Sequence, residues 1–173
     1  MIIILMGVSG SGKTTVGRLL AASLAWPFFD ADDFHPPENL AKMGRGVPLD
    51  DDDRNLWLDR LAKKVDELAL EDISAILTCS CLKEDYRARI AAARDRVEFV
   101  YLKGDFKLLE QRLGNRTGHF FRAELLASQF EALEEPRAAL VIHVSDAIGE
   151  ILDQIRSALS LGPLPGNQRE PEK

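Results

Sequence analysis

GVSGSGKT, residues 7–14, satisfies G-x-x-x-x-G-K-S/T at every fixed position. Before it, Ile2 to Met6 form a short β-branched run; after it, Val16, Leu19, Leu20 and Leu24 recur at helical spacing, with the helix expected to begin near Lys13. Strand, glycine turn and helix follow one another in the order that a phosphate-cradling loop requires. The glycines let successive backbone N–H groups converge on a polyphosphate at the helix N-terminus. Lys13 is placed to reach the β and γ phosphates, and the Thr14 hydroxyl to ligate Mg²⁺. The nucleotide-binding stretch is read as Gly7, Val8, Ser9, Gly10, Ser11, Gly12, Lys13, Thr14 and Thr15, the last also open to a helix-surface or packing role.

Outward from this loop, apolar runs alternate with amphipathic helical patterns, the signature of an α/β protein with a parallel sheet. Further strands are expected at Phe28 to Asp30, Ile73 to Ser80, Glu98 to Leu102 and Leu140 to Val144, five with the first. Helices are expected from near Asp53, with Leu58, Leu61, Val65 and Leu68 on one face, over Leu82 to Ala93, over Phe106 to Leu113, and through Ile148, Ile151, Leu152, Ile155 and Leu159. Gly114 to Glu135 looks like an inserted lid with its own short helix. Residues 1–161 are read as one domain, and 162–173, rich in proline and glycine, as a disordered tail.

A chain of 173 residues, 46% of them hydrophobic, can bury a core without disulfide or metal staples. Its net charge of −6 argues against a nucleic-acid partner held by bulk positive charge, so an anionic ligand must meet a local basic pocket. Cys79 and Cys81 share a strand face and are poorly placed to bridge each other, which fits a reducing, cytoplasmic setting. No apolar stretch reaches the roughly 18 residues that span a bilayer, and MIIILMGV lacks a basic leader region, so neither a membrane association nor a targeting segment is expected.

Several constellations bear on what the nucleotide acts upon. Asp30 and Asp32 sit where the second strand delivers its C-terminal end, the edge at which open α/β sheets bind ligands. One carboxylate can organise Mg²⁺ or accept a proton from an attacking hydroxyl, and the other can hold substrate hydroxyls; an Asx-rich turn is the alternative. His35 is either a cap or a ligand for an anionic substrate. The carboxylates at 50–53 read as helix capping, whereas Arg54, a cation in a first helical turn, calls for an acidic partner or ligand. Lys83 and Arg87, four apart, project from one helical face as a local positive site. Arg112 and Arg116 flank the start of the insertion, where a lid closing over transferring phosphate would exclude water.

Taken in order, MGVSGSGKT, DADDFHPPEN, the G-x-P-L-x-D-x-D-R pattern at Gly46 to Arg54, C-S-x-L-K-x-x-Y-R at Cys79 to Arg87, Y-L-K-G at Tyr101 to Gly104, and GHFF with LLASQFEALEEP resemble the gluconokinase family over roughly residues 1–136. The resemblance implies a P-loop NTPase fold of the nucleoside-monophosphate-kinase type and ATP-dependent phosphorylation of D-gluconate at its 6-hydroxyl, commonly by a homodimer. It also implies Lys13, Asp30 and Arg116 as catalytic groups, and Thr14 and Asp30 at Mg²⁺. Arg112 joins the nucleotide site, and Asp32, His35, Arg54, Lys83, Arg87, His119 and Gln129 contact the substrate. A shikimate or nucleoside-monophosphate acceptor, or a nucleotide-binding switch without transferase activity, is the competing reading.

Overall fold

The computed structural model describes residues 1–45, 47, 49–91, 95–114 and 123–162, with the side chains of 123 and 124 excepted. The segment 115–122, which holds Arg116 and His119, lies outside the described residues, as do 163–173 of the expected tail.

Five parallel strands, β1 (Ile2–Met6), β2 (Phe28–Asp30), β3 (Ala75–Thr78), β4 (Val97–Lys103) and β5 (Leu140–His143), lie in the order β2-β3-β1-β4-β5. All five residues of the central strand β1 are buried, as expected for a strand covered on both faces. Its period of two divides the core: Ile3 and Leu5 face one apolar cluster, Ile2, Ile4 and Met6 the other. On the first face pack α1 (Lys13–Leu24), α5 (Phe106–Gly114), α6 (Ala123–Glu131) and α7 (Ile148–Ala158). The second is covered by α3 (Asp51–Leu70) and α4 (Glu84–Ala91). A 3₁₀ turn at Ala31–Phe34 leads into α2 (Pro37–Gly44).

The connection after β1 leads to β2 on one side, and that after β3 crosses β1 to reach β4 on the other. The crevice between diverging connections therefore opens at the carboxyl ends of β1 and β3. Gly7 leaves β1 there with φ 140; a Cβ on it would stand 2.8 Å from the Leu102 carbonyl. Gly12, at φ 90, is the N-cap of α1 and offers no side-chain cap, so no capping side chain occupies the first amides of the helix.

Boundaries shift where local geometry intervenes. The third strand is shorter than the expected Ile73 to Ser80, because Asp72 (φ 57) turns the chain into it and Cys81 (φ 43) turns the chain away. The helix expected near Asp53 starts at Asp51, with Asp50 accepting from the Asp53 amide at 2.8 Å and Asp53 reciprocating at 3.2 Å. The inserted segment does carry a helix, α6. Among the described residues, no helix is long and apolar enough to cross a membrane.

Candidate active site

A cavity of about 430 Å³ opens at the carboxyl ends of β1, β2 and β3, with the phosphate loop on one wall and residues of α3 and α4 on the other. On the loop wall, Lys13 Nζ donates to the carbonyls of Gly7 (2.9 Å) and Val8 (3.0 Å), which folds the lysine back along its own loop. Burial lowers its pKa, against the opposing pull of Asp32, the two cysteines and Asp30. Thr14 Oγ1 donates to Asp30 Oδ2 at 3.2 Å, so the hydroxyl and carboxylate expected at Mg²⁺ are brought together. Val8 and Ser11 are buried in support of the loop; Ser11 Oγ and Thr78 Oγ1, the latter on the cavity wall, have no hydrogen-bond partner among the described residues.

Gln129, on α6, also lines the cavity, but its Oε1 accepts from the Ser9 amide at 2.6 Å, one of the loop N–H groups expected to face phosphate. The inserted helix is thus clasped to the loop. Thr15 is exposed on α1 and does not line the cavity. Neither does Arg112, whose Nη2 donates to the Val144 carbonyl at 2.6 Å beyond the end of β5.

The opposite wall is a charge cluster. Lys83 Nζ lies 2.9 Å from both oxygens of Asp51, Tyr86 donates its hydroxyl to the same carboxylate, and Arg54 Nη1 sits 3.5 Å from the Tyr86 hydroxyl and 3.6 Å from Asp51. The Tyr86 hydrogen bond, and then that of Lys83, holds Asp51 below the usual carboxylate range, while Asp51 raises Lys83. Two cations share one carboxylate, leaving a net positive charge at the cavity wall. Arg54 thus has the acidic partner its position demanded.

Arg87 corrects the sequence reading. Although it is four residues from Lys83, its guanidinium is buried, donating to the carbonyls of Cys81 (2.8 Å) and Leu82 (3.1 Å) and to Glu84. The turn at Cys81 leaves its carbonyl outside the sheet ladder for Arg87 to satisfy, while the Leu82 carbonyl also accepts from the Glu134 amide at 2.9 Å, so Arg87 braces the β3–α4 connection instead of facing a ligand. His35 is also corrected as a partner for negative charge. It is 8% exposed, stacks on Trp57 at 4.6 Å with an interplanar angle of 8°, and has its pKa lowered to about 4 by burial and by Arg54. It is a neutral imidazole on the cavity wall.

Asp32 lies at the mouth of the cavity. The surrounding walls, and next the Asp30 carboxylate, raise its pKa, while Lys13 opposes them. Asp30 is drawn toward Thr14 and also caps the 3₁₀ turn through the Asp32 amide at 3.3 Å. The two carboxylates therefore have different surroundings, which spacing alone did not separate.

Sequence reasoning gave no role to Asn39, Trp57, Thr78 or Tyr86, and read Asp51 only as helix capping. Tyr86, three residues after Lys83, was detectable by helical spacing. Asn39, Asp51 and Trp57 meet the site through contacts between separate segments, and Thr78 ends β3 at the cavity wall.

The fold and this cavity define a P-loop small-molecule kinase, and the shikimate kinase family model matches residues 9–157. The thermosensitive gluconokinase of Escherichia coli (strain K12) is 42% identical over 160 residues, covering 90% of this chain and 86% of its own. The structure of a gluconokinase from Sinorhizobium meliloti 1021 superposes with a TM-score of 0.82 at 39% identity, covering 92% of this chain and 91% of that one. An unliganded sugar kinase from Janibacter sp. HTCC2649 gives 0.85 at 39% identity, covering 94% and 95%. The chain belongs to the gluconokinase family.

Proposed function

We propose that the protein transfers the γ-phosphoryl group of ATP to the 6-hydroxyl of D-gluconate, giving 6-phospho-D-gluconate and ADP. The observation that carries this reading is the pairing of Lys83 and Arg54 on a single carboxylate, in the cavity that also contains Lys13 and Asp32. A sugar acid needs a cation for its carboxylate and an acceptor for its hydroxyls, and this cavity offers both.

Lys83 and Arg54 hold the substrate carboxylate, and the polyol chain runs toward Asp32 and the phosphate loop. Asp32 accepts the proton of the 6-hydroxyl as the bond from that oxygen to the γ phosphorus forms and the bond to the β,γ-bridging oxygen breaks. Its raised pKa suits a base more than that of an ordinary aspartate would. Lys13, released from the carbonyls of its own loop, compensates the charge spread over the transferring group. Thr14 and Asp30 fit Mg²⁺: they are adjacent hard oxygen donors, and this ion takes one or two protein ligands together with phosphates and water. Bound there, the ion neutralises phosphate charge.

Arg116 and His119, outside the described residues, keep the catalytic and substrate-binding roles that the resemblance implies, while Arg112 borders the nucleotide from the Val144 side. Residues 1–161 act as one domain. The enzyme works in the cytoplasm as a homodimer, without nucleic acid or membrane.

The test is turnover with ATP, Mg²⁺ and D-gluconate, with the product's phosphate located by NMR. Phosphate on the 6-oxygen is expected; phosphate on any other oxygen, or ADP release independent of gluconate, contradicts the reading.

A further inference from the structure

His35 lies in a buried chain of contacts that the phosphoryl-transfer chemistry leaves unexplained. Asn39, 3% exposed, donates through its side-chain amide nitrogen to the Asp53 backbone carbonyl at 2.6 Å, and the same nitrogen lies 3.4 Å from His35 Nδ1. A backbone carbonyl only accepts, so the first contact fixes which end of the amide faces inward. The second amide hydrogen is then directed to Nδ1, which must carry a lone pair. The ring's single polar hydrogen therefore resides on Nε2.

The rest of the chain holds the ring in place. Trp57 stacks on His35 and donates Nε1–H to the carbonyl of Ala31 at 2.7 Å, the residue between Asp30 and Asp32. One indole thus positions both the imidazole and the backbone that carries the two carboxylates. The Asp53 carboxylate is itself occupied by Lys42 and the Asp50 amide, so it does not compete for the histidine. Arg54 on α3 is the charged side chain that acts on the ring, and it disfavours the imidazolium.

We infer that Asn39 is a positioning residue for the acceptor site: it holds His35 as the neutral Nε2–H tautomer, which donates a hydrogen bond to a hydroxyl oxygen of the bound polyol. Asp32 can only accept from a hydroxyl when ionised, and His35 in this form only donates through its Nε2 hydrogen. Together they read a hydroxyl by both of its functions. The polyol rests on the function proposed above; the tautomer does not.

The test has two arms. Long-range ¹H–¹⁵N NMR of the full chain without substrate, with His35 assigned by its loss in His35→Gln, should show Nδ1 unprotonated and Nε2 protonated from about pH 8 down to about pH 5. A proton on Nδ1, or an imidazolium at about pH 6, overturns the inference whether or not gluconate is the acceptor. In the kinetic arm, Asn39→Asp places an acceptor-only group against Nδ1. It should raise the KM for gluconate by ~10-fold, the worth of one hydrogen bond, with little change in kcat or in the KM for ATP. In the His35→Gln background the same substitution should leave the KM for gluconate unchanged. An equal rise in both backgrounds would mean that Asn39 merely supports the start of α3, and would also overturn the inference. Should the NMR arm succeed while gluconate is not phosphorylated, the function reading fails and the tautomer assignment stands.

Discussion

The two walls of the cavity are built in opposite ways. The loop wall comes from one continuous stretch, Gly7 to Thr14, whose backbone does much of the binding and whose residue types follow from the conformations it must adopt. The acceptor wall assembles side chains from β2, the turn after it, α3, Lys83 and α4, and Arg54, Trp57, Lys83 and Tyr86 are each held by a partner from another segment. A wall built of backbone tolerates little variation and binds a group common to many substrates. One built of side chains can be re-specified residue by residue, and the identity of the acceptor resides there.

The largest expected effect is on the loop wall. Lys13→Met should lower kcat by at least ~10³-fold with the fold retained, because the charge it supplies matters most in the transition state. A near-normal rate in a folded variant would remove Lys13 from the mechanism. Next, Asp32→Asn should lower kcat by ~10²–10⁴-fold, the usual contribution of a positioned base. A base must be ionised to act, so kcat/KM should fall as pH drops through the pKa of Asp32. Since that pKa is raised, the acid limb should lie above the ordinary aspartate range in the wild type and vanish in the variant. A limb at the ordinary aspartate position would shift the role of base away from Asp32.

Smaller effects should separate Lys83, just before α4, from Arg87 within it. Lys83→Ala should raise the KM for gluconate by ~10- to 100-fold, the value of a charge-assisted hydrogen bond, with the KM for ATP unaltered. Arg87→Ala should leave both KM values alone and cost about 1–3 kcal/mol of stability by leaving the Cys81 carbonyl without its donor, read as a lowered Tm. If Arg87→Ala raised the KM for gluconate as much as Lys83→Ala, the division between ligand-facing and bracing cations would be wrong.

This pair also marks how far a sequence reading reaches. Glycine spacing, the β-branched run before it and the helical period after it made the loop and the five-stranded sheet legible, because each is a local pattern with one physical solution. Helical spacing put Lys83 and Arg87 on one helix, whereas α4 starts at Glu84 and Lys83 stands just before it. Nor could spacing show that the left-handed turn at Cys81 leaves a carbonyl for Arg87 to satisfy, since that demand arises from backbone geometry. His35 was visible as a polar residue near the strand end, yet its neutrality depends on Trp57 and Asn39 packing around it. Spacing likewise left Asp30 and Asp32 equivalent; their separation comes from Thr14 beside one and the cavity walls around the other.

The family model that matches the chain is named for shikimate kinase, whereas the relatives at about 40% identity are gluconokinases, so acceptor choice is the most exposed part of the account. Acceptor-dependent ADP release, measured with D-gluconate, shikimate and nucleoside monophosphates under identical ATP and Mg²⁺, tests it directly. The acceptor wall described here predicts robust turnover with gluconate and none above background with the others. Turnover with shikimate or a nucleotide, and none with gluconate, would contradict it.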